Sequence, residues 1–320
     1  MTSTVHTWLK RAIKGLFLPK TNVPSAPAAR EQHEWSIGIY VGELPFNFRP
    51  SENINNPVLT HEDTLDVPAV YVADPFMIKA NHTWYMFFEV YRQTQKGMKG
   101  EIGLAISEDE MKWTYQQVVL AETFHLSYPY VFKWMDDYYM IPESHQVQSV
   151  RLYKALQFPI QWAFVATLLN GHAFSDSSIF RFNGKWWILT ETSPNGRCET
   201  LRLYYADDLM GFWIEHPKSP LIEGNPHIAR PAGRVVVLND KVIRYAQDCY
   251  PVYGTQVRAF EITELTPTSY SEQESSENPV LTASGTGWNA SGMHHIDPHL
   301  IDDGQWMACV DGRLTRKLPV

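Results

Sequence analysis

The chain has 320 residues, 44% hydrophobic and 13% aromatic, enough apolar mass for one domain with a sizeable core. Its formal net charge is −8 and no lysine/arginine stripe runs through it, which excludes a nucleic-acid partner. Three cysteines, Cys198, Cys249 and Cys309, are an odd number without metal-ligand spacing, so they read as small buried residues of a reducing compartment.

Residues 1–34 stand apart from the domain expected over 35–320. Trp8, Leu9, Ala12, Ile13, Leu16 and Phe17 fall on one helical face, with Lys10, Arg11 and Lys14 opposite, and a Pro/Ala-rich linker follows over Pro24–Ala29. Lysine and arginine interrupt the apolar run, so it is neither a signal peptide nor a membrane span, and Gly15 weakens the helix. Two readings stay open. Trp8–Phe17 is either a basic amphipathic helix on an anionic membrane surface or a tail frayed or docked on the domain. The expected location is the cytoplasm, peripheral to a membrane under the first reading.

The rest of the chain repeats one unit. Ile37–Gly42, Phe46 and Asn56–Leu59 look like the outer half of a unit whose inner half lies elsewhere. Asp74–Ile78, a polar turn, and Trp84–Glu89 then form a hairpin, followed by outer strands at Ile102–Ser107 and Gln116–Leu120. The hairpin recurs as Tyr128–Phe132 with Tyr138–Glu143, as Asp176–Phe180 with Trp186–Glu191, as Arg230–Arg234 with Ile243–Gln247, and as Asp297–Leu300 with Trp306–Asp311. Outer strands are expected at Val150–Tyr153 and Phe164–Leu169, at Leu201–Tyr205, and at Gln256–Ile262. A polar insertion, Thr266–Asn278, then separates the last of these from Pro279–Leu281. Unit starts are 54, 48, 54 and 67 residues apart. Five aromatic-rich copies at that period predict an all-β, five-bladed β-propeller. The fifth unit lacks outer strands of its own, so the N-terminal strands complete it and close the ring, removing the exposed edges.

In a propeller the innermost strands begin beside the central channel. The opening residues Asp74, Tyr128, Asp176, Arg230 and Asp297 therefore form one ring, backed by a second ring of Glu89, Glu143, Glu191, Gln247 and Asp311. The first three units keep 15 residues between opening and closing polar residue; the last two give 17 and 14. Carboxylates accept from hydroxyls and aromatic faces stack on sugar rings, so such a funnel points to a glycan; the alternative is that each aspartate caps its own turn. Arg230 and Arg234 offer planar forks for an anionic or phosphate-linked sugar, or else pair internally with Asp176 or Asp297. His295, Asp297 and His299 alternate onto one strand face and form a weak candidate metal set next to His294. No cofactor is otherwise expected, though a central divalent ion such as Ca2+ fits the channel.

Val72–Phe76, Tyr85–Glu89, Ser127–Phe132, Pro142–Ser144 and Arg230–Arg234 together resemble the N-terminal propeller domain of the glucosamine inositolphosphorylceramide transferases and its single-domain bacterial relatives. The resemblance covers roughly residues 35–312. More distantly, Ala73–Phe76 and Ile102–Ser107 followed by Trp113 resemble glycoside hydrolase family 43. The hydrolase resemblance implies Asp74 as general base and Asp176 as the residue tuning its partner's pKa. It also implies a glutamic acid at the fourth opening, where Arg230 stands instead. Arginine cannot serve as the acid, which leaves Glu143 or Glu191 to reach in. The transferases carry transfer chemistry in a separate domain, which implies a partner glycosyltransferase here. Three readings follow: a carbohydrate-binding propeller accessory to glycosyl transfer, with Tyr128, Arg230, Arg234, Asp297, His295 and Glu89 contacting the ligand; an inverting glycoside hydrolase; and a non-enzymatic scaffold.

Overall fold

The computed structural model describes residues 30–194, 196–301 and 304–318; the helix expected over Trp8–Phe17 lies outside them. The chain opens with β1 (Arg30–Gly42) and β2 (Arg49–Pro50). Blade 1 is β3 (Ala69–Ala80), β4 (Thr83–Thr94), β5 (Gly97–Ser107) and β6 (Thr114–Leu120). Blade 2 is β7 (Ser127–Trp134), β8 (Asp137–Glu143), β9 (Ser149–Gln157) and β10 (Gln161–Asn170). Blade 3 is β11 (Ser175–Phe182), β12 (Lys185–Glu191), β13 (Leu201–Ala206) and β14 (Ile214–Glu215). Blade 4 holds β15 (Arg230–Pro231), β16 (Val236–Leu238), β17 (Lys241–Asp248), β18 (Gln256–Leu265), β19 (Tyr270–Glu274) and β20 (Leu281–Thr282). Blade 5 joins β21 (Ile296–Leu300) and β22 (Trp306–Leu318) to β1 and β2, in the order β21–β22–β1–β2.

The ring is therefore five antiparallel sheets, closed by the N-terminal strands. β1 runs against β22 from Arg30↔Leu318 to Gly42↔Trp306, so pairing starts five residues before the domain start expected at 35. Apolar inner faces of neighbouring blades interlock. Phe76, Phe87, Tyr130, Phe132 and Trp186 form one continuous buried cluster across the first three blades. Among the described residues no helix is long and apolar enough to cross a membrane.

Two departures from the expected strands have local causes. The polar stretch after β18 is not a plain insertion, because Tyr270–Glu274 pairs along β18. Alternate residues of β19 face the blade, where Glu272 meets the buried Arg244 guanidinium and Tyr270 donates to Glu272. The first strand of blade 4 is broken after Pro231. Gly233 (φ 133°) crosses there to bridge Ile296 of blade 5, and a Cβ would lie 1.7 Å from the Ile296 carbonyl oxygen.

Register decides which opening residues face the channel together. In blades 1–3, Ala73, Ser127 and Ser175 sit opposite Glu89, Glu143 and Glu191, and the next residue bulges out of the ladder. Those bulged residues are Asp74, Tyr128 and Asp176, all left-handed at φ 53°, 46° and 49°. Backbone conformations of this kind cost about 1–3 kcal/mol each and persist where the surroundings impose them. In blade 4 Arg230 itself sits opposite Gln247, one position earlier. In blade 5 Asp297 sits opposite Cys309, matching Phe76, Tyr130 and Ser178 one layer deeper. The five openings are thus not one ring: the irregular spacings of 17 and 14 mark the two that shift.

Candidate functional site

At the mouth where the innermost strands begin lies a cup of about 130 Å³. Its polar wall comes from Asp74, Glu89, Glu143, Arg230, His125 and His294, and its aromatic wall from Trp35, Tyr71 and Tyr253.

Two closing carboxylates staple neighbouring blades by accepting the N–H groups that the bulges orphan. Asp74 N donates to Asp311 Oδ2 at 3.0 Å, and Asp176 N donates to Glu143 Oε2 at 3.0 Å. Glu89, at the equivalent place in blade 1, keeps its Oε1 buried without a hydrogen-bond partner, 3.4 Å from His125 Nε2. Gly100 makes room for it, since a Cβ there would lie 2.5 Å from that oxygen. Asp74 Oδ1 is also buried and unpartnered.

The electrostatics follow from this crowding. Burial pushes Asp74 up to about 6, with Asp311 and Glu143 adding to the shift and His294 opposing it. Burial, then the Asp74, Glu143 and Asp176 charges, push Glu89 well above the usual carboxylate range. Burial alone would raise Glu143 too, but the His145 hydrogen bond at 2.6 Å and the Arg230 charge hold it below that range. Arg230 is fully engaged: Nε donates to Asp176 Oδ2 at 2.6 Å and Nη2 to Glu143 Oε2 at 3.4 Å.

A sequence model described as "Glucosamine inositolphosphorylceramide transferase 1, N-terminal" matches residues 28–313. The chain belongs to that family. Glucosamine inositolphosphorylceramide transferase 1 of Oryza sativa subsp. japonica is 33% identical over 298 residues, covering 87% of this chain and 40% of that protein. The Arabidopsis thaliana protein of the same name is 31% identical over 313 residues, covering 90% and 40%. The chain thus spans about two-fifths of the length of these curated relatives. Among solved structures, a glycosyl hydrolase from Bacteroides ovatus shares the fold at a TM-score of 0.62, with 12% identity and coverage of 88% of this chain and 96% of that one. A putative glycoside hydrolase from Parabacteroides distasonis does so at 0.61, with 11% identity and 84% and 97% coverage.

Within this transferase-family propeller the expected site residues divide into two layers. Asp74, Glu89, Glu143 and Arg230 meet in the cup, with Asp176 directly behind Arg230. Tyr128 does not line it. Its hydroxyl lies within hydrogen-bonding distance of Ser178 Oγ at 2.8 Å and Gly233 O at 3.0 Å, and accepts from Gly233 N at 2.6 Å. Tyr128 thus fills the channel below the cup, next to Phe76 and His295. Arg234 and Asp297 pair in the same lower layer, where Arg234 also donates to the Met77 and Val131 carbonyls and Met77 N donates to Asp297 at 2.6 Å. Glu191 closes its own turn by accepting from Ser193 N at 2.6 Å and does not line the cup.

Two ligand expectations change accordingly. Neither Arg230 nor Arg234 presents a free fork, because internal ion pairs occupy both, so the basis for an anionic ligand in the cup is gone. His295, Asp297 and His299 do not converge on a metal: Asp297 is taken by His299 (2.8 Å), Arg234 and Met77 N, while His295 Nε2 faces the Pro75 carbonyl. Trp35, Tyr71, His125, His145 and Tyr253 were not anticipated. Trp35 and Tyr71 lie outside the hairpin ends, and the others lie on links between strands, where no periodicity marks them.

Proposed function

We propose that the cup binds one sugar ring of a lipid- or phosphate-linked glycan, as the recognition unit of a system for glycosyl transfer. The observation that carries this reading is the pairing, in one recess, of unpartnered Asp74 and Glu89 oxygens with an aromatic wall. A dry cavity of about 150 Å³ takes one benzene ring. At about 130 Å³ the cup is smaller than that, so it seats one edge of a single pyranose, with the rest of the ring in solvent, and encloses no oligosaccharide. Carboxyl oxygens accept the ring's hydroxyls while Trp35, Tyr71 and Tyr253 offer apolar faces.

The sign of the charge narrows the class. Acids outnumber the single guanidinium, and that guanidinium is already paired, so a neutral or amine-bearing sugar suits the cup. The relatives' name speaks of glucosamine and an inositolphosphorylceramide. An ammonium group beside Glu89 would offset the neighbouring carboxylate charges that hold its carboxyl protonated. A groove of about 710 Å³ shares His125 with the cup; Arg92 and Lys99 in its wall are paired with Glu101, so a phosphate further along the ligand would be met there by Lys96.

The test is a binding titration of glucosamine, glucuronic acid and glycosyl inositol phosphates in chelator-containing buffer. Saturable binding of the amino sugar, weaker binding of the uronic acid, and loss in Glu89→Gln are expected. Failure of every sugar to bind would remove the reading.

Hydrolysis is the second reading, favoured by a carboxyl kept protonated at Glu89 near one kept ionised at Glu143, the division of roles that glycosidic cleavage needs. Under it Glu89 supplies the proton that Arg230 cannot. Release of nitrophenol from aryl glycosides, abolished in Glu89→Gln, would place the chain among enzymes.

A further inference from the structure

Two of the three cysteines come together at the seam between blades 3 and 4, behind the Arg230 wall of the cup. Cys198 lies on the link between β12 and β13, and Cys249 directly follows β17. One short stretch stitches both places together: Asn225 N donates to Glu199 O at 3.3 Å, and Cys249 N donates to Pro226 O at 2.9 Å. The Cys249 thiol donates toward the Cys198 sulfur, which also accepts from Arg230 Nη1 at 3.6 Å. As a thiol, Cys198 would donate to Gly196 O, also at 3.6 Å; as a thiolate it has two donors against that one acceptor. Cys198 is buried, whereas Cys249 is half-buried and precedes the exposed Tyr250, so the pair has its route to solvent on the Cys249 side.

We infer that Cys198 and Cys249 form a peroxide-reactive thiol pair, in which Cys198 is the attacking sulfur and Cys249 resolves it into a disulfide between blades 3 and 4. The Cys198 thiolate attacks one oxygen of a hydroperoxide and the O–O bond breaks. The departing hydroxide takes up the proton that Cys198 released and leaves as water. Cys198 is then a sulfenic acid. The Cys249 sulfur attacks it, the S–O bond breaks, and the Cys249 proton leaves with the hydroxyl as a second water. Two thiols and one hydrogen peroxide thus give one disulfide and two waters, the sulfurs losing the two electrons that the peroxide gains.

The surroundings divide the two roles. The Cys249 hydrogen bond, then the Arg230 charge, bring Cys198 down to about 6 against the opposing effect of burial. The same hydrogen bond, then burial, push Cys249 up, so it stays a thiol until its partner is oxidised. The Arg230 guanidinium also faces the sulfur where negative charge leaves in the first step. Cys309 supplies the contrast within the same chain. It is fully buried, its thiol donates to Pro75 O at 2.9 Å, and burial holds it well above the usual thiol range. The pair stands apart from the sugar reading, since its oxidation needs no glycan.

The test treats the full chain, reduced and then freed of reductant, with a small excess of hydrogen peroxide. Two of its three thiols should disappear, and proteolysis should yield peptides joined through Cys198 and Cys249. In Cys249→Ser a sulfenic acid should accumulate on Cys198, where a cyclic dione traps it. In Cys198→Ser peroxide consumption should slow about 10-fold or more, because only protonated thiols remain. Retention of all three thiols in the wild-type chain, a disulfide through Cys309, or a link formed only between two copies of the chain would each overturn the pair. So would wild-type peroxide consumption in Cys198→Ser, which would make another sulfur the attacking one. Should a variant fail to fold, the wild-type peptides decide: joined through Cys198 and Cys249 they support the pair, and unjoined they refute it.

Discussion

Arg230 Nε and Asp176 Oδ2 meet at 2.6 Å in the wall of the cup, and the same guanidinium reaches Glu143 at 3.4 Å, so one cation holds blades 2, 3 and 4 together. Removing one member of a buried ion pair leaves the other charge unsolvated, a cost of about 3–5 kcal/mol. Arg230→Met should therefore lower stability to urea by about that amount. Asp176→Asn should cost less, because Glu143 still faces the guanidinium. Equal losses in the two variants would show that the network does not carry the charge as described.

Much of this was legible because a hairpin advertises its ends. The 15-residue spacing in the first three units brought Asp74, Tyr128 and Asp176 to equivalent bulges, and the missing outer strands of the fifth unit foretold the β1–β22 closure. Depth was not legible. A bulge adds one residue on one strand only, so pattern alone could not show that Asp297 matches Phe76 and not Asp74. The same limit hid the plugging role of Tyr128, whose partner Gly233 lies 105 residues away. Trp35 and Tyr253 reach the cup from outside the repeated hairpins, and nothing local distinguishes them from ordinary aromatics.

The Glu143–His145 pair should shape stability against pH. The Glu143 hydrogen bond raises His145 above its ordinary 6.5, so this contribution is complete below 6.5 and is lost as pH rises through the raised value. Glu143 is held below its ordinary 4.5, so its contribution is complete above 4.5 and lost only as pH falls through the depressed value. The contribution of this pair should be flat between the two and fall on either side. His145→Gln should flatten the alkaline limb in denaturant titrations run from pH 5 to 9; a limb identical to wild type would exclude this pair as its source.

Tyr128→Phe separates the layers. The change removes the acceptor for Gly233 N and a partner of Ser178, leaving a buried N–H unpaired at about 1–3 kcal/mol. Amino-sugar affinity should stay unchanged, because the hydroxyl lies below the cup. A variant of wild-type stability that has lost sugar binding would return Tyr128 to the ligand.

Ring closure makes the last strand pair decisive for the whole domain. β1 contributes Ile37 and Ile39, both fully buried, to the contact between blades 5 and 1, beside Met77, Met86 and Cys309. A cavity at Ile39 therefore loosens two blades and the seam that hides the edges of both. Ile39→Ala should cost about 2–5 kcal/mol, the range for aliphatic truncation in a packed core. Glu31→Ala, on the same strand but exposed, should fall within about 0.5 kcal/mol of wild type. Because closure is shared around the ring, Ile39→Ala should shift the whole unfolding transition and keep its slope. A separate early transition for blade 5, with the other four blades intact, would show that the seam is not what holds the propeller shut.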